Sequence, residues 1–247
     1  MPIRYRIEGV VYRRTSCAQR LRELEGTLAG KPILVIGNGP SLNRTPLEEF
    51  AHVTAIGMNK INLLFPRTTW RPSLILCVND LVVHQNREFF AETEIPVFLS
   101  WKSRWLLRRR DRRRVSYFLS RPSPEFSTDI ATGVGSSGTV MYPALQFAYY
   151  MGADPVVLFG VDHYFSTEGP PNRIVRSRGP DPDHFDPEYF GKGKHWGLPD
   201  YDALERGHRL AREAFEADGR RVYDATIGGR LDVYEKVSIA RARELTG

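Results

Sequence analysis

The sequence is poor in sulfur and has no long apolar run. Two cysteines, Cys17 and Cys77, are too few for a disulfide framework, and Cys77 sits in an apolar stretch that marks it as a buried thiol. Both fit a reducing, cytoplasmic setting. No apolar run approaches the ~18 residues of a membrane span, and no signal peptide is expected at the start. Repeats and low-complexity segments are absent. The phosphate loop GxxxxGK[ST] is missing, as are paired HxxxH or cysteine metal spacings and any nucleic-acid-binding motif. No metal site and no nucleic-acid partner are therefore expected. With 247 residues, 41% of them hydrophobic, the chain suits one large domain with a real core.

What is present centres on Lys31–Asn43. The run Pro32-Ile33-Leu34-Val35-Ile36 reads as a buried strand, and it enters Gly37-Asn38-Gly39-Pro40-Ser41 directly. A strand, a glycine turn and a helix together present backbone N–H groups to a phosphate. The two glycines would let a ligand approach the backbone, and Asn38 and Ser41 add side-chain donors. Thr45-Pro46-Leu47-Glu48 fits a capping box that opens the helix. The turn is no dinucleotide fingerprint: Leu42 replaces the third glycine, and Asn59 stands where an acidic ribose ligand belongs.

Strands are expected at Ile33–Ile36, Val53–Ile56, Ser73–Val78, Pro96–Ser100, Val115–Leu119, Val156–Val161 and Val222–Ala225. Helices are expected near Pro46–Ala51, Thr139–Met151, Tyr201–Ala217 and Val237–Leu245, after a polar helix capped by Ser16. Alternating strands and helices predict an α/β fold, Rossmann-like, with a mostly parallel sheet, helices on both faces and a long lid loop. Residues 1–30 are expected as an N-terminal extension, 31–247 as a single Rossmann-like nucleotide-binding domain, and 163–200 as its lid. Asn38, Asn59, Asn79 with Asp80, and Asp162 each follow a predicted strand. Ligands bind at the carboxyl ends of such strands, so these residues form one candidate site.

Three later stretches complete the picture. Trp101–Arg114 carries eight basic side chains against one acid, interleaved with Trp101, Trp105, Leu106 and Leu107. It is either a solvated basic segment or a contact for an anionic membrane surface. Ser136-Ser137-Gly138 opens a second helix and could cradle a phosphate. The lid holds His184, His195, Asp181, Asp183 and Asp186 among Tyr164, Tyr189, Phe190 and Trp196, and either histidine could act as a base.

Gly37-Asn38-Gly39-Pro40-Ser41-Leu42 resembles the opening motif of the bacterial CMP-sialic-acid-dependent sialyltransferases of the Campylobacter type. It is equally similar to the 6-hydroxymethylpterin diphosphokinase-like family, which includes bacterial motility accessory factors. Met58-Asn59-Lys60, Val78-Asn79-Asp80, Ser136-Ser137-Gly138, Gly160-Val161-Asp162-His163-Tyr164 and Phe190–His195 follow in the same order. An arginine that the sialyltransferases carry before the Ser-Gly turn has no counterpart in Asp129–Thr132. The resemblance implies a metal-independent glycosyltransferase of surface-glycan synthesis, using a CMP-linked or other nucleotide-sugar donor and a glycan or lipid-linked acceptor. It places His195 as base, with His184 as its alternative. Tyr164 serves the departing phosphate, and Asn38, Ser41, Asn59, Asn79 and Ser137-Gly138 hold the donor. No cofactor is then needed, and the protein works in the cytoplasm, at the inner membrane face if the basic segment engages lipid. The other branch implies a diphosphokinase moving pyrophosphate from ATP, which needs Mg²⁺ held by Asp80, Asp162, Asp183 and Asp186. A third possibility is a non-enzymatic nucleotide-binding module.

Overall fold

The computed structural model describes residues 3–108 and 115–247. Eight strands form one sheet: β1 (Ile33–Ile36), β2 (Ala55–Met58), β3 (Leu74–Cys77), β4 (Val97–Ser100), β5 (Ser116–Phe118), β6 (Val156–Phe159), β9 (Val222–Asp224) and β10 (Glu235–Lys236). Their order is β10-β9-β6-β1-β2-β3-β4-β5, and every pairing is parallel. The chain winds outward from β1 to β5, then crosses back to β6 beside β1. That reversal is the topological switch point of an open α/β sheet.

The strands read as near-continuous apolar runs because both faces are covered. Ile33 and Val35 point into one core with Phe147 and Phe215; Leu34 and Ile36 point into the other with Phe50 and Trp70. The first face is covered by α2 (Ser16–Arg22), α5 (Met141–Tyr150) and α6 (Tyr201–Ala217). The second is covered by 3-10 turns, by α3 (Asp80–Gln85), α4 (Arg87–Glu92) and α7 (Ile239–Thr246), and by part of the lid. α1 (Ile3–Arg13) adds Tyr12, fully buried, whose hydroxyl donates to the Tyr117 carbonyl at 2.9 Å.

Several local expectations are corrected. β2 starts two residues late, which puts Asn59 directly at its end. Thr45 is no cap: its hydroxyl donates to the Ser41 carbonyl at 3.0 Å, and Leu47–Phe50 is a 3-10 turn. Thr15, not Ser16, caps α2, accepting from Ala18 N at 3.2 Å. α1, α3 and α4 were not expected at all.

The lid 163–200 is anchored through its second half, while residues 166–174 are exposed. A two-stranded antiparallel ribbon, β7 (Ile174–Arg176) with β8 (His195–Gly197), stands beside a segment that buries Phe185, Tyr189, Phe190 and Trp196. Four such side chains at about 2 kcal/mol each rival the net stability of a whole domain, so this segment does not swing as a unit.

Candidate functional site

A cleft of about 560 Å³ opens at the carboxyl ends of β1, β2, β3 and β6. It gathers Gly37, Asn38, Gly39, Asn59, Asn79, Asp80, Ser136, Gly138, Asp162, Tyr164 and His184 from six separate stretches of sequence. Ser41, Ser137 and His195 do not line it. Ser137 is buried, its hydroxyl spent on the Ala203 carbonyl of α6. His195 opens β8 with an exposed ring, and its carbonyl accepts from Gln85 Nε2 at 3.0 Å.

The glycine turn does a different job from the one expected. A Cβ on Gly37 would lie 2.2 Å from the Gly160 carbonyl oxygen, and one on Gly39 would lie 1.9 Å from Asp162 Oδ2. The glycines thus allow two strand ends to pack together, and both also line the cleft. Asp162 is the clamp: Oδ1 accepts from Ser41 N at 3.0 Å and Oδ2 from the Ser41 hydroxyl at 2.6 Å. Gly37 N and Gly39 N donate to Phe159 O and Gly160 O. The N–H groups of Gly37, Gly39 and Ser41 are consumed internally, and Pro40–Arg44 is a 3-10 turn rather than the start of an α-helix. The second small-residue turn does open an α-helix. Gly138, Thr139 and Val140 line the cleft immediately before α5, where helix N–H groups lack intrahelical partners.

The asparagines are tied to the frame. Asn38 Nδ2 donates to Met58 O at 3.2 Å, and Asn79 Oδ1 caps α3 through Leu81 N at 2.9 Å. Asn59 adopts φ 53°, a left-handed conformation that asparagine tolerates. The side-chain carbonyls of Asn38 and Asn59 are buried without a partner, in two residues that line the cleft.

The group best placed for proton transfer is His184. Its Nδ1 lies 2.8 Å from Asp181 Oδ2, and its ring stacks on Tyr189 at 3.9 Å. Burial alone would raise the Asp181 carboxyl. The His184 hydrogen bond and N–H donors from Asp183 and Phe190 outweigh it, and hold the carboxyl below its usual range. An ionised Asp181 accepts from Nδ1–H, which in the neutral ring makes Nε2 the acceptor nitrogen. Beside it, Tyr164 is about half exposed and carries the Arg230 guanidinium 4.1 Å over its ring. His163, also lining the cleft, holds φ 53° and sits 3.5 Å from Glu205. Neither the Asp181–His184 pairing nor His163 and Arg230 were singled out from sequence; the Asp-Pro-Asp-His spacing was the available signal for the first.

Of the carboxylates expected to hold Mg²⁺, Asp80, Asp162 and Asp183 line the cleft and Asp186 does not. Asp162 serves Ser41, Asp80 accepts from the Ser103 hydroxyl, and Asp186 accepts from Glu188 N and meets Arg67 at 3.4 Å. Asp183 Oδ1 accepts from Ser166 N, while Oδ2 is buried and unpartnered. Among the described residues no three His, Cys, Asp or Glu side chains could hold a metal ion.

Comparison with known proteins bears on this geometry. No curated protein matches the chain. A solved MAf glycosyltransferase from Magnetospirillum magneticum AMB-1 shares the fold, with TM-score 0.56 and 16% identity over 87% of this chain and 34% of that one. The chain therefore spans about a third of that protein's length. The model of the 6-hydroxymethylpterin diphosphokinase MptE-like family matches residues 12–168, from α1 through the cleft-lining end of β6. The chain belongs to the 6-hydroxymethylpterin diphosphokinase MptE-like family.

Proposed function

We propose that this chain is a glycosyltransferase domain that uses a nucleotide-sugar donor without a resident metal. The observation that carries the proposal is the Asp181–His184 pair opening into a cleft at the switch point. The fold shared with the MAf glycosyltransferase supports it.

The donor lies across the carboxyl ends of β1, β2 and β3, its base and sugar meeting Asn38, Asn59 and Asn79. Its phosphate sits at Gly138–Val140. His184 Nε2 takes the proton from an acceptor hydroxyl, whose oxygen bonds to the anomeric carbon. The bond from that carbon to the phosphate oxygen breaks, and the nucleotide leaves with the electron pair. The Tyr164 hydroxyl donates to the charge that develops there. This moves the base from His195 to His184. A CMP-linked donor rests on the sialyltransferase resemblance.

A second reading follows from the family description and from the unpartnered Asp183 oxygen: pyrophosphoryl transfer from ATP with Mg²⁺. One experiment separates the two. Ligands that bind only the folded state raise the melting temperature by mass action. CMP, CDP, UDP, GDP and ATP are each tested with EDTA and with Mg²⁺. Stabilisation by CMP in EDTA supports the glycosyltransferase and its CMP-linked donor. Stabilisation by ATP only with Mg²⁺ overturns it in favour of the diphosphokinase. No shift with any nucleotide overturns both.

A further inference from the structure

Six large hydrophobic side chains are exposed among the described residues: Val10, Val11, Trp105, Tyr164, Ile174 and Tyr201. Tyr164 and Ile174 line the cleft, and Tyr201 packs edge-on to His163 there. The other three lie on two neighbouring elements. Trp105 ends the turn Trp101–Trp105 that follows β4. Val10 and Val11 lie on α1, which crosses the end of β5: Tyr12 bonds to Tyr117, and Gly9 faces Leu119. The two elements touch, because Trp101 meets the Tyr12 ring edge-on at 5.4 Å. The Arg104 guanidinium packs on both Trp101 and Trp105, at 4.4 and 4.8 Å, so the outer tryptophan is held in a cationic setting. Lys102, from the same turn, lines the cleft.

The surrounding sequence is basic. Residues 101–114 carry eight basic side chains against one acid in the sequence; Lys102, Arg104 and Arg108 belong to the described residues, 109–114 lie outside them, and Arg13 and Arg14 stand at the end of α1. An exposed tryptophan and valines among an excess of one charge sign match the interface of an anionic bilayer. The rings and aliphatic groups enter the headgroup boundary while the cations meet lipid phosphates. A protein partner would not need charge so one-sided, and no nucleic-acid-reading element accompanies it.

We propose that α1 and the Trp101–Trp105 turn form a docking surface for an anionic membrane, with the cleft mouth beside it. The acceptor is then lipid-linked, delivered from the bilayer to His184. Docking stands on the patch alone; the identity of the acceptor rests on the glycosyl-transfer reading.

The test is flotation of the full chain with vesicles of phosphatidylcholine containing about 30% phosphatidylglycerol, against phosphatidylcholine alone. The wild type should float with the anionic vesicles and be released by about 0.5 M salt. Trp105→Ser combined with Val11→Ser should weaken partition about tenfold. Arg108→Glu should weaken it on anionic vesicles only. The CMP-induced thermal shift should be unchanged in both variants, which reports folding and the donor site separately. No partition, equal partition onto neutral vesicles, partition indifferent to Trp105 and Val11, or tighter binding to duplex DNA at the same salt would each overturn the proposal. If docking holds but no nucleotide shifts the melting temperature, the surface survives and only the acceptor assignment falls.

Discussion

Acidification from about pH 7.5 to about pH 5 should cost the fold about 2 kcal/mol through His208 alone. His208 is buried on α6, and its Nδ1 lies 3.2 Å from the Tyr234 hydroxyl oxygen. That hydroxyl gives its proton to the His208 carbonyl at 3.0 Å, so its oxygen accepts from Nδ1–H and the ring is neutral. Burial, helped by nearby His163 and opposed by Glu205, pushes the imidazole down to about 3. In the unfolded chain it titrates near 6.5. Below that pH the unfolded state binds a proton that the folded state refuses. Stability therefore falls between about 6.5 and 3, and at pH 5 about 1.5 units of that window are spent. The assay is urea denaturation of the wild type and His208→Phe at both pH values. The variant keeps a ring against Tyr234 and leaves the backbone carbonyl that Tyr234 bonds. The wild type should lose about 2 kcal/mol more than the variant. Equal losses would refute the buried, neutral assignment.

Other outcomes are equally specific. Gly39→Ala should cost about 2–3 kcal/mol by driving a methyl into the Asp162 carboxylate, and should abolish nucleotide-induced stabilisation. Its cost should be non-additive with that of Asp162→Ala, measured by denaturation of the double variant. His184→Ala should lower kcat about 10²- to 10⁴-fold with little change in KM for the donor, and Asp181→Asn should lower kcat by changing the tautomer without moving the nucleotide thermal shift. Lys60 is buried, and burial with Lys194 nearby lowers its ammonium to about 8. Between that value and its unfolded ~10.5 the unfolded chain holds more protons, so wild type should gain about 2 kcal/mol over Lys60→Met on going from neutral pH to about 9.5.

The sheet was legible because its strands are buried on both faces: Ile33–Ile36 and Val156–Phe159 are apolar at every position. α6 was legible end to end, since Asp200 caps it through Ala203 N and its apolar stripe is periodic. α3 was missed because six residues carry too little periodicity, although Asn79 caps it as an Asx turn would. The choice between the two candidate bases was not legible for a different reason. His184 and His195 sit in equally polar, glycine- and proline-rich sequence, and only folding sets one beside Asp181 in the cleft and the other at an exposed strand start. The Asp-x-Asp spacing of Asp181 and Asp183 also hid a division of labour, one carboxylate orienting a histidine and the other holding Ser166. Gly39, read as room for a ligand, is also room for Asp162, whose carboxylate holds Ser41 from 121 residues away along the chain.

The join between the lid and the glycine turn has a calorimetric consequence. Phe185 N donates to the Asn38 carbonyl at 3.0 Å, Asn43 Nδ2 donates to the Phe185 carbonyl at 2.9 Å, and Lys60 Nζ donates to the Tyr189 carbonyl at 2.5 Å. The segment bearing His184 is thereby fastened to the end of β1 before any ligand arrives. Its ordering entropy is settled when the chain folds, not when a nucleotide binds. Nucleotide association should then show a small negative heat-capacity change, set by burial of the ligand and the cleft walls, without the large signature of coupled folding.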